Sequence, residues 1–251
     1  MSKYKKSNKG NNKWNDRGYN NRNNNRQNNR KNESRFKRGQ VYYVDLGECV
    51  GSEQNGQRPC VILQVDETSK GTSIVVACMT TKDKGRPMSF HVEVSSKNKQ
   101  NDSYVLCEQL KTVKEEDIQA YIYRLPDYEM EDVSKAINKF LNLSKKGSVG
   151  TAKPGPDETG WTYARGEVYN VNLGLNTNTD KIQQCVILQN DAANQKSQTL
   201  VVAYMTDTKE VDYKQIRTVD KTRVGEYAYE LSNDDLEEAS KTINRYLELR
   251  W

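Results

Sequence analysis

The chain has 251 residues, of which 34% are hydrophobic and 29% charged, with a formal net charge of +5. That length suits one large domain or two small ones, and no apolar run approaches the roughly 18 residues of a membrane span. The charge is unevenly spread: residues 1–34 hold ten Lys/Arg against Asp16 and Glu33, a net of +8, and taking that from +5 leaves −3 on the remaining 217 residues.

Residues 1–34 are dominated by Asn with interspersed Lys, Arg and Gly, and Tyr4, Trp14 and Tyr19 are their only aromatics. Such a segment buries too little apolar surface to offset its ordering entropy, so it is expected to be disordered. Two roles remain open for it: a solubilising tail, or a weak hold on single-stranded RNA through phosphates and stacking. The N-terminus has no apolar h-region, so no secretory signal is expected. The five cysteines, Cys49, Cys60, Cys78, Cys107 and Cys185, show no C-x-x-C spacing. Cys60, Cys78 and Cys185 sit in apolar runs and read as small buried hydrophobes. A reducing, cytoplasmic setting is the expectation.

From Arg35 the composition changes abruptly. Val41–Leu46 and Cys60–Val65 read as strands flanking a polar loop, and Ser73–Met79 as a third, buried strand rich in β-branched residues. His91–Val94 alternates like a half-exposed strand, and Tyr104–Cys107 is another. Met130, Val133, Ala136, Ile137, Phe140 and Leu141 recur at helical spacing, with Asp127 as the expected N-cap. Residues 144–162 are rich in Gly, Pro, Ser and Lys and read as a linker.

The pattern then repeats. Arg165-Gly166-Glu167-Val168-Tyr169 matches Arg38-Gly39-Gln40-Val41-Tyr42 at an offset of 127. Cys185–Gln189 matches Cys60–Gln64 at 125, and Val201–Thr206 matches Val75–Thr80 at 126. Gln215–Val219 matches Gln109–Val113 at 106, as does Ser240–Asn244 against Ser134–Asn138. Five blocks in one order imply an internal duplication, with domains at 35–143 and 163–251. The second copy lacks about twenty residues between the equivalents of Thr80 and Gln109, and two in the first polar loop. It also carries Ser232-x-x-Asp235, a capping-box pattern with Asp for the usual Glu.

The loop Val50-Gly51-Ser52-Glu53-Gln54-Asn55-Gly56-Gln57-Arg58-Pro59 concentrates chemistry between two strands. It sets an always-charged guanidinium beside small, flexible backbone that a ligand can approach. The alternative is a surface hairpin loop without a function. His91 is the only histidine, and a lone His in an alternating strand reads as structural. No His pair or Cys cluster makes a case for a metal, and no phosphate-binding or dinucleotide fingerprint is present.

The first copy resembles the MazF/PemK family of bacterial toxins (Kid or CcdB-like). The matching residues are Arg38-Gly39-Gln40-Val41-Tyr42 with Asp45-Leu46, then Gly51-Ser52-Glu53-Gln54-x-Gly56-x-Arg58-Pro59 with Val61-Ile62. Ala77-x-x-Thr80, His91-Val92-Glu93 and Glu108-Gln109-x-x-Thr112 follow in order. The resemblance implies a mainly β fold with α: two SH3-like β-barrels, each closed by a C-terminal amphipathic helix. It implies a metal-independent, cofactor-free endoribonuclease on single-stranded RNA that leaves a 2′,3′-cyclic phosphate and a 5′-hydroxyl. It places catalysis on Arg58 and Thr80, with Glu53 from the same motif, and RNA contacts on Ser52, Gln54 and Gln109. Typical members are homodimers paired with a labile antitoxin.

Such cleavage uses the RNA's own 2′-hydroxyl as nucleophile, so the protein must orient it, assist proton movement and stabilise charge on the phosphate. Arg58 suits the last task, since its fork bridges two oxygens, but is a poor acid or base. Glu53 is either a proton acceptor or the group that orients Arg58. Thr80 ends a strand, where its hydroxyl either caps backbone or donates to a phosphate oxygen. In the second copy Gln183-Gln184-Cys185 replaces Arg58-Pro59-Cys60, and Asn176–Thr179 replaces the Gly-Ser-Glu-Gln loop, while Thr206 remains opposite Thr80. That copy is expected to be catalytically dead and to act as the built-in partner of a pseudo-dimer. A rival reading is a non-catalytic module that binds nucleic acid or protein. Because the copies diverge most at the 50–59 loop, the loop is expected to be dispensable for building the fold.

Overall fold

The computed structural model describes residues 35–64, 73–81, 90–95, 103–144, 162–174 and 181–249. The expected disordered tail and nearly all of the expected linker lie outside them. The first half runs through β1 (Gln40–Asp45), β2 (Gln57–Ile62), β3 (Ser73–Thr80), β4 (His91–Val94) and β5 (Ser103–Lys114). A 3-10 turn (Glu115–Asp117), β6 (Ile118–Arg124) and helix α1 (Asp127–Leu141) complete it. The second half contains β7 (Glu167–Asn172), β8 (Ile182–Ile187), a short helix α2 (Asp191–Lys196), β9 (Thr199–Met205) and β10 (Val211–Asp220). A 3-10 turn (Lys221–Arg223), β11 (Val224–Glu230) and helix α3 (Asn233–Tyr246) close it. Apart from β4 and α2, the elements recur in the same order, and the fold is mainly β with few helices.

Local sequence accounts for the elements. β3 is buried along its whole middle, as its run of Ile, Val, Ala and Cys demands. β1 alternates, placing Val41 and Val44 inside and Tyr43 outside. α1 buries Met130, Val133, Ile137, Phe140 and Leu141 on one stripe and ends on Asn142 in the left-handed region. Its N-cap position is Pro126 rather than the expected Asp127, which sits in the first turn and pairs with Arg124 at 3.1 Å. A carboxylate there still complements the helix dipole. In α3 the Ser232 hydroxyl accepts from Asp235 N at 3.1 Å, as its capping pattern predicts. Strand β2 stops at Ile62, and Gln64 supplies a side-chain substitute for the ladder: its Oε1 accepts from Val75 N at 2.7 Å. Gln189 does the same for Val201 N at 2.8 Å.

Among the described residues eleven strands form one sheet in the order β11-β7-β8-β9-β10-β5-β3-β2-β1-β6, with β4 against β5. The run β6-β1-β2-β3-β5 therefore has the same order as β11-β7-β8-β9-β10. The seam is β5 against β10, with Lys111 opposite Arg217. Leu110 N donates to Thr218 Oγ1 and Ile216 N to Thr112 Oγ1, both at 2.9 Å. Thr218 Oγ1 in turn donates to Glu108 O, and Thr112 Oγ1 to Lys214 O. Each bond has its mirror partner 106 residues along the chain.

A second reciprocal pair ties each half to the other's helix end. Arg38 donates to Leu63 O and Ser134 Oγ in its own half and to Glu248 O in the other. Arg165 donates to Leu188 O, Ser240 Oγ and, across, Leu141 O. A guanidinium at a helix C-terminus satisfies orphan carbonyls and complements the dipole. One apolar cluster runs through both halves and takes in α1 and α3, while each half keeps a smaller cluster on its other side. Residues from Ser34 to Trp251 accordingly make one compact unit.

Candidate active site

Arg58 stands on β2 and Thr80 ends β3. The two strands pair with Cys60 opposite Cys78 and Val61 opposite Ala77, and Arg58 and Thr80 each lie two residues beyond that Cys60–Cys78 pair on their own strands. Arg58 also lies opposite Val44 on β1. It is half-buried, and its one hydrogen bond among the described residues is from Nε to Asn55 O at 3.0 Å, which leaves both terminal nitrogens open. Beneath the pair, the Cys60 thiol is held well above its usual range by a bond to Cys78 and by burial, while the cations Lys111 and Arg58 pull the other way. These thiols are inert packing, as all four of Cys60, Cys78, Cys107 and Cys185 are buried.

Glu53 is not beside Arg58. Its carboxylate is buried against the second half: Oε1 lies 2.7 Å from Arg223 Nε and accepts from Asp220 N at 3.0 Å, and Oε2 lies 3.6 Å from Arg217. Both Glu53 and Arg223 side chains are only 3% exposed. A carboxylate paired with two arginines and a backbone N–H ties the loop to the second half, and these described partners are not Arg58, which Glu53 was expected either to orient or to accompany as proton acceptor. Ser52 joins the same contact, with its N–H donating to Asp220 Oδ2 at 2.8 Å and its hydroxyl to Gln198 Oε1 at 2.6 Å. Gly51 makes the approach feasible: φ is +57°, and a Cβ would fall 2.1 Å from Asp220 Oδ2. The loop is therefore not dispensable for the fold, and the expectation from its divergence is corrected.

Asp220 titrates accordingly. Burial raises its carboxyl, but the bonds from Ser52 N and Thr222 and the Arg223 charge outweigh burial and hold it below the usual range. Gln54 and Gln109 close the inner side of the loop. Gln109 Oε1 accepts from Gln54 N at 3.3 Å, and its Nε2 donates to Ser52 O at 3.5 Å. Ser52, Gln54 and Gln109 thus adjoin one another as neighbours of a docked loop.

Ser52 and Gln109 also border a cleft of about 580 Å³ between the halves, with Phe90, Phe140, Lys139 and Lys196 on its walls. Phe90 and Phe140 meet with ring centroids 4.9 Å apart. On its floor Glu108 pairs through Oε1 with His91 Nε2 at 2.9 Å, while its buried Oε2 has no hydrogen-bond partner among the described residues. His91, read from the sequence as structural, here pairs with Glu108, which the Glu108-Gln109-x-x-Thr112 motif contains but which was not singled out as a site residue. Asp220, Arg217 and Arg223 were missed too, although at an offset of 106 the reversal of charge from Lys114 to Asp220 and from Asp117 to Arg223 marks two of them. No group of His, Cys, Asp and Glu suited to a metal occurs among the described residues.

The equivalent place in the second half is closed. Gln183, at the Arg58 position, spends its amide on Met205 O at 2.8 Å and Gln184 O at 3.3 Å. Thr206, at the Thr80 position, bonds Thr208 Oγ1 and accepts from Glu210 N at 3.0 Å inside a tight turn.

Several known proteins are similar to this chain. Endoribonuclease EndoA of Bacillus subtilis (strain 168) is 34% identical over 110 residues, 43% of this chain and 95% of that protein. Endoribonuclease MazF of Staphylococcus saprophyticus is 37% identical over 110 residues, 43% of this chain and 92% of its own length. Among solved structures, an endoribonuclease in complex with its cognate antitoxin from Mycobacterial species is 22% identical, with a TM-score of 0.37 over 43% of this chain and 97% of that one. MazF (Form-I) from Deinococcus radiodurans is 18% identical, with a TM-score of 0.36 over 41% of this chain and 92% of that one. A family model described as PemK-like, MazF-like toxin of type II toxin-antitoxin system matches residues 37–141 and 164–214, so the matched residues fall in both halves. The chain belongs to the PemK-like, MazF-like family of toxins of type II toxin-antitoxin systems.

Proposed function

We propose that the chain is an endoribonuclease of toxin–antitoxin type that cleaves single-stranded RNA at one active site, formed by Arg58 and Thr80. The observation that carries this reading is the open guanidinium of Arg58 on β2, next to the strand that ends at Thr80, whereas Gln183 at the equivalent place in the second half has its amide engaged. The RNA 2′-hydroxyl attacks the adjacent phosphorus as it loses its proton. The bond from phosphorus to the 5′-oxygen breaks, and that oxygen takes a proton. The products are a 2′,3′-cyclic phosphate and a 5′-hydroxyl. Arg58 holds two nonbridging oxygens through its fork, and the Thr80 hydroxyl donates to the phosphate. Glu53 contributes by holding the loop. No step needs a metal.

On this reading each half is an SH3-like barrel with its closing helix, spanning 35–143 and 163–251, and the two form an intramolecular pseudo-dimer. The reciprocal bonds of Thr218 with Leu110 and Thr112 with Ile216, and of Arg38 with Glu248 O and Arg165 with Leu141 O, support it. RNA then runs from the Arg58 site past Ser52, Gln54 and Gln109 into the cleft, where Phe90 and Phe140 offer a base an apolar wall and Lys139 and Lys196 offer its phosphates positive charge. A separate antitoxin protein and a cytoplasmic setting follow from the same family reading. The test is incubation of the purified chain with a mixed RNA pool in EDTA, followed by analysis of the ends. Cleavage lost in Arg58→Ala is expected; full activity in that variant, or strict dependence on Mg²⁺, would sink the proposal.

A further inference from the structure

Among the described residues the contact between the 51–54 loop and the second half has no mirror image, although the seam beside it does. Its receiving corner is Asp220–Arg223, at the end of β10. At the offset of 106 that relates the seam bonds, the first half carries Lys114 for Asp220 and Asp117 for Arg223. The two corners solve one problem differently. In the first half the corner N–H, that of Lys114, is taken in its own turn by Asp117 Oδ2 at 3.0 Å. In the second half the residue at the Asp117 position is Arg223, and the corner N–H of Asp220 is taken from across the seam by Glu53 Oε1 at 3.0 Å. Arg223 also donates to Asn172 O and Gly174 O, which fixes its guanidinium under the incoming carboxylate. The second copy, for its part, has no glutamate between Gly174 and Gln183 to send back.

We propose that Asp220 and Arg223 are positioning residues for the Arg58 site, and that the two halves have divided one loop-and-corner contact between them. The first half keeps the loop and has lost the corner; the second keeps the corner and has lost the loop. Two first halves set together in this geometry would place Glu53 against Asp117 and the Ser52 N–H against Lys114, two unfavourable encounters. The pairing of unlike halves is therefore written into the charges. Glu53 and Arg58 stand five residues apart in one loop whose backbone is tied at Gly56 N to Gly47 O and at Leu46 N to Gly56 O, so docking Gly51–Glu53 sets where Arg58 begins.

The decisive variant is Arg223→Asp in the full chain, which installs the first-half residue and its own acceptor for the corner N–H. The corner then remains satisfied and the protein remains folded, while Glu53 is expelled. Amide exchange across residues 51–54 is expected to quicken by at least about tenfold, the scale of losing one charge-assisted hydrogen bond. Cleavage is expected to fall roughly a hundredfold, the scale of a misplacement of about 1 Å. Adding Arg58→Ala to Arg223→Asp should bring no further fall beyond Arg58→Ala alone. Thr112→Val, which weakens the seam without touching the loop, should leave turnover near wild type, whereas a merely structural role would slow both variants alike. Should Arg223→Asp not fold, Asp220→Asn removes the charge at constant shape and gives the same two readouts. Unchanged exchange at 51–54 overturns the contact; released loops with full cleavage overturn the positioning role. The kinetic arm rests on the ribonuclease reading and the exchange arm does not. A wild-type chain that cleaves no RNA but responds in exchange would therefore refute the reaction and the positioning role, and leave the divided contact standing.

Discussion

Removing the Glu53 side chain tests whether this residue is a tie or a proton acceptor. Glu53→Ala leaves Arg223, with a side chain 3% exposed, and Arg217, 16% exposed, without their carboxylate. It also strips Asp220 N of its acceptor. Breaking one side of a buried pair in this way destabilises by about 3–5 kcal/mol, because the surviving charge stays buried. In a body of this size each kcal/mol shifts Tm by roughly 2–4 °C, so a drop of about 6–20 °C is expected in a thermal melt followed by circular dichroism. Arg58→Ala is the control: a half-buried side chain with one bond should move Tm by no more than about 2 °C. Glu53→Gln separates the roles further. It keeps an acceptor for Asp220 N, so cleavage should be reduced with an unaltered pH profile, whereas a general base would lose the limb of the profile that it sets. A Glu53→Ala protein that melts within about 1 kcal/mol of wild type would refute the buried tie.

Other outcomes follow from the same geometry. Arg58→Lys should retain under a tenth of the cleavage rate, roughly, since an ammonium cannot bridge two phosphate oxygens. Gln183→Ala should leave cleavage unchanged, and its loss there would relocate the site to the second half. Gly51→Ala should release the loop, because positive φ and the Asp220 carboxylate both oppose a Cβ; unchanged amide exchange at 51–54 would count against the close approach. Acid should loosen the same contact. Asp220 is held below its ordinary value, so its contribution is full above the unfolded value of about 4 and is lost as pH falls through the lower folded value. Melting followed from pH 7 downward should thus stay flat to about pH 4 and then fall, with a shallower fall in Asp220→Asn. Deleting residues 144–251 should leave an aggregating or unfolded remainder, since the largest core cluster draws on both halves. A folded, hyperactive fragment would instead identify the second half as an inhibitor.

Much of the scaffold was legible because burial leaves a period in the sequence. β3 and the apolar stripe of α1 stand where their residues predict, since both bury one surface in a regular pattern. β6 and β11 were not anticipated. Ile118–Arg124 and Val224–Glu230 are mostly exposed or half-buried, so no apolar alternation marks them, and their pairing with β1 and β7 is what makes them strands. α2 is a six-residue helix capped by Asn190, too short for a periodic signal.

The site divides in the same way. The order of motifs was enough to indicate the family and the loop, because these are properties of local residue type and spacing, and the resemblance in turn implied the positions Arg58 and Thr80. What Glu53 touches was decided by the tertiary structure. From the sequence it is a carboxylate five residues from an arginine and free to serve it. In the fold its partners are Arg217, Asp220 and Arg223, more than 160 residues further along the chain. Strand pairing across the β5–β10 seam brings those groups together, and no short-range pattern encodes such a meeting. The copies do record it as a reversal of charge, Lys114 and Asp117 against Asp220 and Arg223, a difference that acquires meaning only once the seam shows which corner faces which loop.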